Sequence, residues 1–129
     1  MIFPIYKPSG ITSSHIVNII KKAFFESGRK IKIGHSGTLD PICTGVLPIL
    51  TESHTKLSDY LPPMKEYKAG LLLGVTTDTE DITGNILEKK DCIYDIKDVL
   101  NISNLFLGKI KQTPPMYSAI KKDGVRLYD

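Results

Sequence analysis

The chain opens on a short apolar run, Ile2 to Tyr6, which reads as a strand ended by a Lys7-Pro8-Ser9-Gly10 turn. Thr12 or Ser13 is placed to cap a helix. Ile16, Ile19, Ile20, Ala23 and Phe24 recur on it at three- and four-residue spacing, and Gly28 stops it. The stretch from Gly34 to Leu47 holds three glycines, two threonines, a histidine and an aspartate, a content that favours an ordered loop. Val46 to Leu50 then reads as a strand and Ser53 to Leu61 as a helix ended by Pro62-Pro63. Strands are expected at Lys65 to Leu73, Asn85 to Cys92, Gly108 to Gln112 and Tyr117 to Lys121. A helix is expected at Asp95 to Leu107, with Ile96, Val99, Leu100 and Phe106 turned inward. The fold class is therefore α+β: a mixed, mostly antiparallel sheet with flanking helices.

Composition narrows the picture only a little. With 129 residues, 41% hydrophobic and 24% charged, the chain suits one globular domain with a core of its own. Its net charge of +3 permits nucleic-acid binding without requiring it. The basic run Arg29, Lys30, Lys32 reads either as solvated surface or as a contact for phosphates. Cys43 and Cys92 are too few and too far apart for a disulfide framework or a four-ligand metal site, and read as reduced, buried side chains. No signal peptide or spanning run is apparent, so a cytoplasmic protein is expected. Gly74 to Gly84 carries Asp78, Glu80 and Asp81, but lacks the spacing of a twelve-residue calcium loop.

The residues of Gly34 to Leu47, GHSGTLDPICTGVL, centre on Asp40. Pro41 restricts Asp40 to extended or turn backbone, and Gly37 and Gly45 allow dihedrals that other residues resist. From these residues alone, Asp40 is either a cap opening a short helix at Pro41 or a carboxylate held towards a cleft.

The segment continues to GHSGTLDPICTGVLPIL, which resembles the nucleophile motif of the TruB family of tRNA pseudouridine synthases, G-H-x-G-T-L-D-P-x-A-x-G-V-L-P. PIYKPSGITSSHIV, KEYKAGLLLGVTTDTEDITG, GKIKQTPPMYSAIKKDG and RLYD are similar to other stretches of that family and stand in the same order. The resemblance implies the pseudouridine synthase catalytic fold and an enzyme that isomerises the T-loop uridine of tRNA. That reaction detaches uracil from ribose and rejoins it through carbon, without a metal or an organic cofactor.

By the same resemblance Asp40 is the catalytic carboxylate, attacking either sugar or base. His35 contacts the flipped region of the RNA and Tyr67 stacks on the target base. Lys7 and Pro8, together with Gly37 and Thr38, support the loop. Without it, His35 reads as a loop histidine bonded to its own backbone and Tyr67 as a core residue of a strand. Tyr117 and Lys121 read equally as sheet packing with an exposed charge or as an RNA contact.

Two departures stand out. Cys43 replaces the motif's alanine, and Glu52-Ser53-His54-Thr55-Lys56 keeps only the last two residues of the family's G-x-A-T-K. Arg126 to Asp129 reads as the first turn of a helix that in the family continues. Residues 1–129 are thus expected to be the N-terminal portion of a catalytic domain, without its remainder or any C-terminal RNA-binding domain. The arginine that pairs with the aspartate in the family would lie in that remainder. The tRNA T-arm is the implied partner, with no membrane and no metal. The alternative is a non-catalytic RNA-binding module that keeps the loop.

Overall fold

Strand β3, Gly45–Thr51, lies at the middle of a three-stranded antiparallel sheet in a computed structural model that describes residues 1–62, 64–113, 121–122 and 125–126. β1, Ile2–Lys7, pairs along one side in the register Phe3 to Ile49, Ile5 to Leu47 and Lys7 to Gly45. β2, Ile33–His35, pairs along the other with Ile33 opposite Thr51. Side chains alternate across a strand, so Phe3, Ile5, Leu47, Ile49 and Ile33 share one face. Helix α1, Ser13–Glu26, covers that face with Ile16 and Val17, and Phe3, Ile5, Ile11, Ile20, Phe24 and Ile31 pack around the resulting core.

Thr12 caps α1, accepting a bond from the His15 amide at 3.1 Å, and Gly28 follows its end at a φ of +78°, a left-handed conformation suited to glycine. The buried stripe differs from the expected one. It runs through Ser13, Ile16, Val17, Ile20 and Phe24, while Ile19 and Ala23 are exposed. At 3.6 residues per turn, Ile19 lies about 120° round the helix from the centre of that stripe. The helix expected at Ser53 to Leu61 is a 3-10 helix, Glu52–Tyr60, which follows β3. The expected loop is shorter than its sequence limits, since Gly34 and His35 belong to β2 and Gly45 to Leu47 to β3.

Met1–Lys68 and Ala69–Asp129 form separate units. The boundary falls inside Lys65 to Leu73, and most of that segment has no regular structure, so the strand expected there is not formed. It acts as a connection, and no described strand pairs with it.

In the second unit, β4, Val75–Thr77, pairs antiparallel with β5, Ile86–Lys89. Asp78 and Asp81, two of the three acids between them, bond within the turn itself. Asp78 accepts bonds from the Asn85 amide at 2.8 Å and its side chain at 3.0 Å, and Asp81 accepts from the Thr83 amide and from the hydroxyls of Thr79 and Thr83. The Thr83 hydroxyl leads in holding the Asp81 carboxyl below its ordinary range. A side chain at position 84 would collide with Asp78 and Thr79, which is why the turn closes on Gly84.

Helix α2, Ile96–Ser103, begins with a capping box between Asp95 and Asp98 and continues into a 3-10 turn, Asn104–Phe106. Ile96, Leu100 and Phe106, expected to point inward, are exposed, and Val99 is half-buried. A two-stranded ribbon offers too little apolar surface to cover a helix. Gly108 to Gln112 forms no strand. Two-residue strands β6, Lys121–Lys122, and β7, Val125–Arg126, pair with each other, whereas positions 117–120 and the Pro114-Pro115 bend lie outside the described residues.

Candidate active site

Residues 36–44 connect β2 to β3, and the segment between β1 and α1 is bonded to the backbone of this loop. The Lys7 side chain is fully buried, with an ammonium that donates to Cys43 O at 2.7 Å, Pro8 O at 3.0 Å and Pro41 O at 3.2 Å. Carbonyl dipoles alone solvate this cation, since no ion pair reaches it among the described residues. The Gly10 amide donates to Pro41 O at 2.8 Å and the Ser9 hydroxyl to Ile42 O at 3.0 Å.

Ser13 bonds the loop twice. Its hydroxyl donates to Leu39 O at 2.9 Å and accepts from the Leu39 amide at 3.0 Å, with the side chain buried under the loop. The sequence reading weighed Ser13 only as a possible cap. The available signal was Thr12-Ser13: one hydroxyl suffices to cap a helix, which leaves the second for another bond.

Pro41 opens a turn, not a helix. The bond that closes the turn runs from the Cys43 amide to the backbone carbonyl of Asp40 at 3.0 Å, so the Asp40 carboxylate plays no part in capping. Asp40 is exposed, and among the described residues nothing donates to its carboxylate. Gly37 adopts a φ of +69°, where a β-carbon is disfavoured. Thr38 is exposed and its carbonyl accepts a long 3.5 Å bond from the Lys65 ammonium. A carboxylate on a tethered loop, with no internal partner among the described residues, is chemically available as a nucleophile or a base.

His35 is the last residue of β2, opposite Ile49. Its Nδ1 is buried without a hydrogen-bond partner, and burial lowers the imidazole pKa from its ordinary value. Thus His35 does not satisfy its own backbone at that nitrogen. Tyr67 is 57% exposed in the unstructured connection, and no bond joins it to Asp40 or His35 among the described residues. The structure therefore gathers Lys7, Pro8, Gly37, Thr38 and Asp40 into one loop system with His35 at its base, and among the described residues no hydrogen bond ties Tyr67 to it.

Cys43 is half-buried in the loop, and Cys92 is exposed, contrary to the expectation that both are buried. No group of three or more His, Cys, Asp or Glu side chains stands where it could hold a metal among the described residues, and no described helix is long and apolar enough to cross a membrane.

Comparison with known proteins gives this geometry its context. Residues 21–129 match the model of the TruB family pseudouridylate synthase N-terminal domain. The chain belongs to that family. It is 49% identical over 127 residues to a protein of Clostridium tetani named tRNA pseudouridine synthase B, covering 97% of the chain and 43% of that protein. It is similar to proteins of the same name from Clostridium perfringens strain ATCC 13124, at 46% identity, and from Synechocystis, at 42%. In each case 97% of the chain aligns, with 42% and 41% of the respective relative. The chain thus spans about two fifths of the length of these relatives.

Proposed function

We propose that this chain carries the catalytic loop of a tRNA pseudouridine synthase acting on the T-loop uridine, with Asp40 as the catalytic carboxylate. The observation that carries the reading is an exposed, unpartnered carboxylate on a loop whose backbone is tied down by Lys7, Ser9, Gly10 and Ser13. Tethering fixes where the carboxylate sits before substrate arrives, which lowers the entropy cost of its attack. The relatives' printed name, tRNA pseudouridine synthase B, supports the substrate class.

In the reaction the bond between uracil N1 and ribose C1′ breaks and a bond between C5 and C1′ forms. The proton on C5 leaves and N1 gains one, so the product is an isomer of the substrate. Asp40 attacks either C1′ or the uracil ring and is released when the new bond is complete. The target base must leave its stack first. His35 is assigned to the flipped region of the RNA and Tyr67 to the face of the base. Lys7, Pro8, Gly37 and Thr38 hold the loop. The cell compartment is the one where tRNA is modified, the cytoplasm.

A second reading applies to the 129 residues in isolation. Among the described residues no cation forms an ion pair with Asp40, and without one to stabilise and orient the carboxylate these residues alone are expected to bind RNA with little or no turnover.

Tritium release from T-arm RNA labelled at uracil C5 tests both. It is measured for the 129-residue chain, for the same sequence extended to the length of its relatives, and for Asp40→Asn in the extended form. Release by the extended protein that disappears with Asp40→Asn is expected. If the extended protein binds the RNA and releases nothing, the enzymatic reading fails and the binding module stands.

A further inference from the structure

Positive charge in this chain is unevenly placed. The stretch from Ser13 to Ile33 holds five cations, Lys21, Lys22, Arg29, Lys30 and Lys32, against the single acid Glu26, a net +4 in a chain whose total is +3. Glu26 sits 3.8 Å from Lys22, while Lys21, Arg29, Lys30 and Lys32 make no ion pair among the described residues. Those four line one groove of about 460 Å³ together with Phe25, Ile31 and Ile33. Phe25 is 72% exposed, and the Arg29 guanidinium lies 5.4 Å from the centre of the Phe24 ring, which steadies it. Glu52, the acid beside Lys32, is bonded to the Lys32 amide at 3.2 Å.

We propose that this groove, formed by the second half of α1 and the segment leading into β2, binds the sugar–phosphate backbone of RNA at a place separate from the Asp40 loop. The inference rests on RNA being the partner, as proposed above. A low-dielectric floor between like charges focuses their field on an anion. Four cations around an exposed aromatic ring suit a phosphate-bearing strand, and an open groove admits it along its length. The cations next to the α1 terminus also offset its dipole, but one or two suffice for that, and the groove gathers four.

Its position sets its role. Ser13 at the start of α1 is bonded to Leu39, beside Asp40, whereas Lys21 and Phe25 lie further along a helix of 14 residues. At 1.5 Å per residue these groove residues stand about 12–18 Å along the helix from Ser13. The phosphates held there belong to nucleotides away from the target uridine. The contact positions the RNA and carries no sequence information.

The test is equilibrium binding of a T-arm stem-loop RNA to the 129-residue chain across a salt series. The unaltered chain is compared with Lys21→Gln/Arg29→Gln/Lys30→Gln. Each lost phosphate contact removes roughly 0.7–0.9 from the slope of log affinity against log salt, so the triple variant is expected to lose about 2 in slope and tenfold or more in affinity at low salt. Lys21→Arg/Lys30→Arg keeps the charge and is expected to keep the slope, and far-UV circular dichroism checks that each variant is folded. A matched variant, Lys89→Gln/Lys97→Gln/Lys109→Gln, controls for net charge. An equal loss of slope in that control, or an unchanged slope in a folded groove variant, overturns the groove and leaves Asp40 chemistry untouched. An unaltered chain that binds no RNA overturns the groove along with its premise.

Discussion

Replacing Lys7 by methionine separates the charge at the end of this buried side chain from the apolar stem that carries it. The stem remains, and the ammonium that joins Pro8 O, Pro41 O and Cys43 O is lost. Pro41 O keeps its bond from the Gly10 amide at 2.8 Å, so two carbonyls lose the partner shown here, Pro8 O and Cys43 O. An unsatisfied carbonyl costs about 1–3 kcal/mol, and each hydrogen bond from a charged donor contributes about 1.5–3 kcal/mol net. Against this, the variant no longer takes an ammonium out of water on folding, a relief of several kcal/mol that cancels part of the loss. We expect a net destabilisation of about 3 kcal/mol, from two stranded carbonyls at about 1.5 kcal/mol each, below the middle of that range because of the desolvation relief. At 4–8 °C per kcal/mol for a small unit, residues 1–68 of Lys7→Met should melt roughly 12–24 °C lower. Thermal unfolding followed by far-UV circular dichroism reads this directly. A melting temperature within about 3 °C of the unaltered chain would refute the reasoning, because the loop would then hold its shape without the ammonium.

Two further outcomes follow from neighbouring residues. Ser13→Ala removes both bonds to Leu39, leaving a carbonyl and an amide unpaired under the loop. We expect a loss of about 2 kcal/mol in urea unfolding, whereas Ser13→Thr keeps the hydroxyl and should recover much of it. The His35 pKa is lowered in the folded chain by burial, so below an unfolded value near 6.5 the unfolded state binds more protons. Stability therefore falls as pH drops from about 6.5 towards the folded pKa and levels off beneath it. Melting temperatures at pH 7.5 and 5.5 should differ in that direction, and His35→Gln should reduce the difference. A difference unchanged by the substitution would assign the titration to another group.

Sequence patterning carried the α+β class, the opposed strands and the position of α1, because alternation and helical spacing report which face is buried. It could not report partners. Lys65 to Leu73 has strand composition, yet a strand exists only when another chain segment offers its hydrogen bonds, and here the segment joins two units. The spacing of isoleucines placed Ile19 on the buried face of α1, because apolar periodicity has no way to count Ser13, a polar residue that is buried for its bonds. At the loop, Pro41 and the glycines marked a turn, and the Lys-Pro pair marked support. The orphaned Nδ1 of His35 and the free Asp40 carboxylate depend on what surrounds them in space, which composition does not encode.

Support for the loop comes from far along the chain: Lys7 lies 34 and 36 residues from the two loop carbonyls it bonds, and Ser13 lies 26 from Leu39. Bonds of that separation form only after β1, α1 and β3 have come together, so the loop takes its shape from the folded sheet and not from its own sequence. The tethers from Lys7, Ser9, Gly10 and Ser13 all end on backbone, at Leu39, Pro41, Ile42 or Cys43, and none ends on the Asp40 side chain. The main chain is thereby fixed while the carboxylate keeps its rotamers and its charge for an incoming partner. Loosening the tethers through Ser13→Ala should consequently spread the positions Asp40 samples. In the extended protein that predicts a larger loss in kcat than in KM for T-arm RNA, since attack geometry suffers more than RNA binding. Equal losses in both would place Ser13 in RNA binding and refute this division of roles.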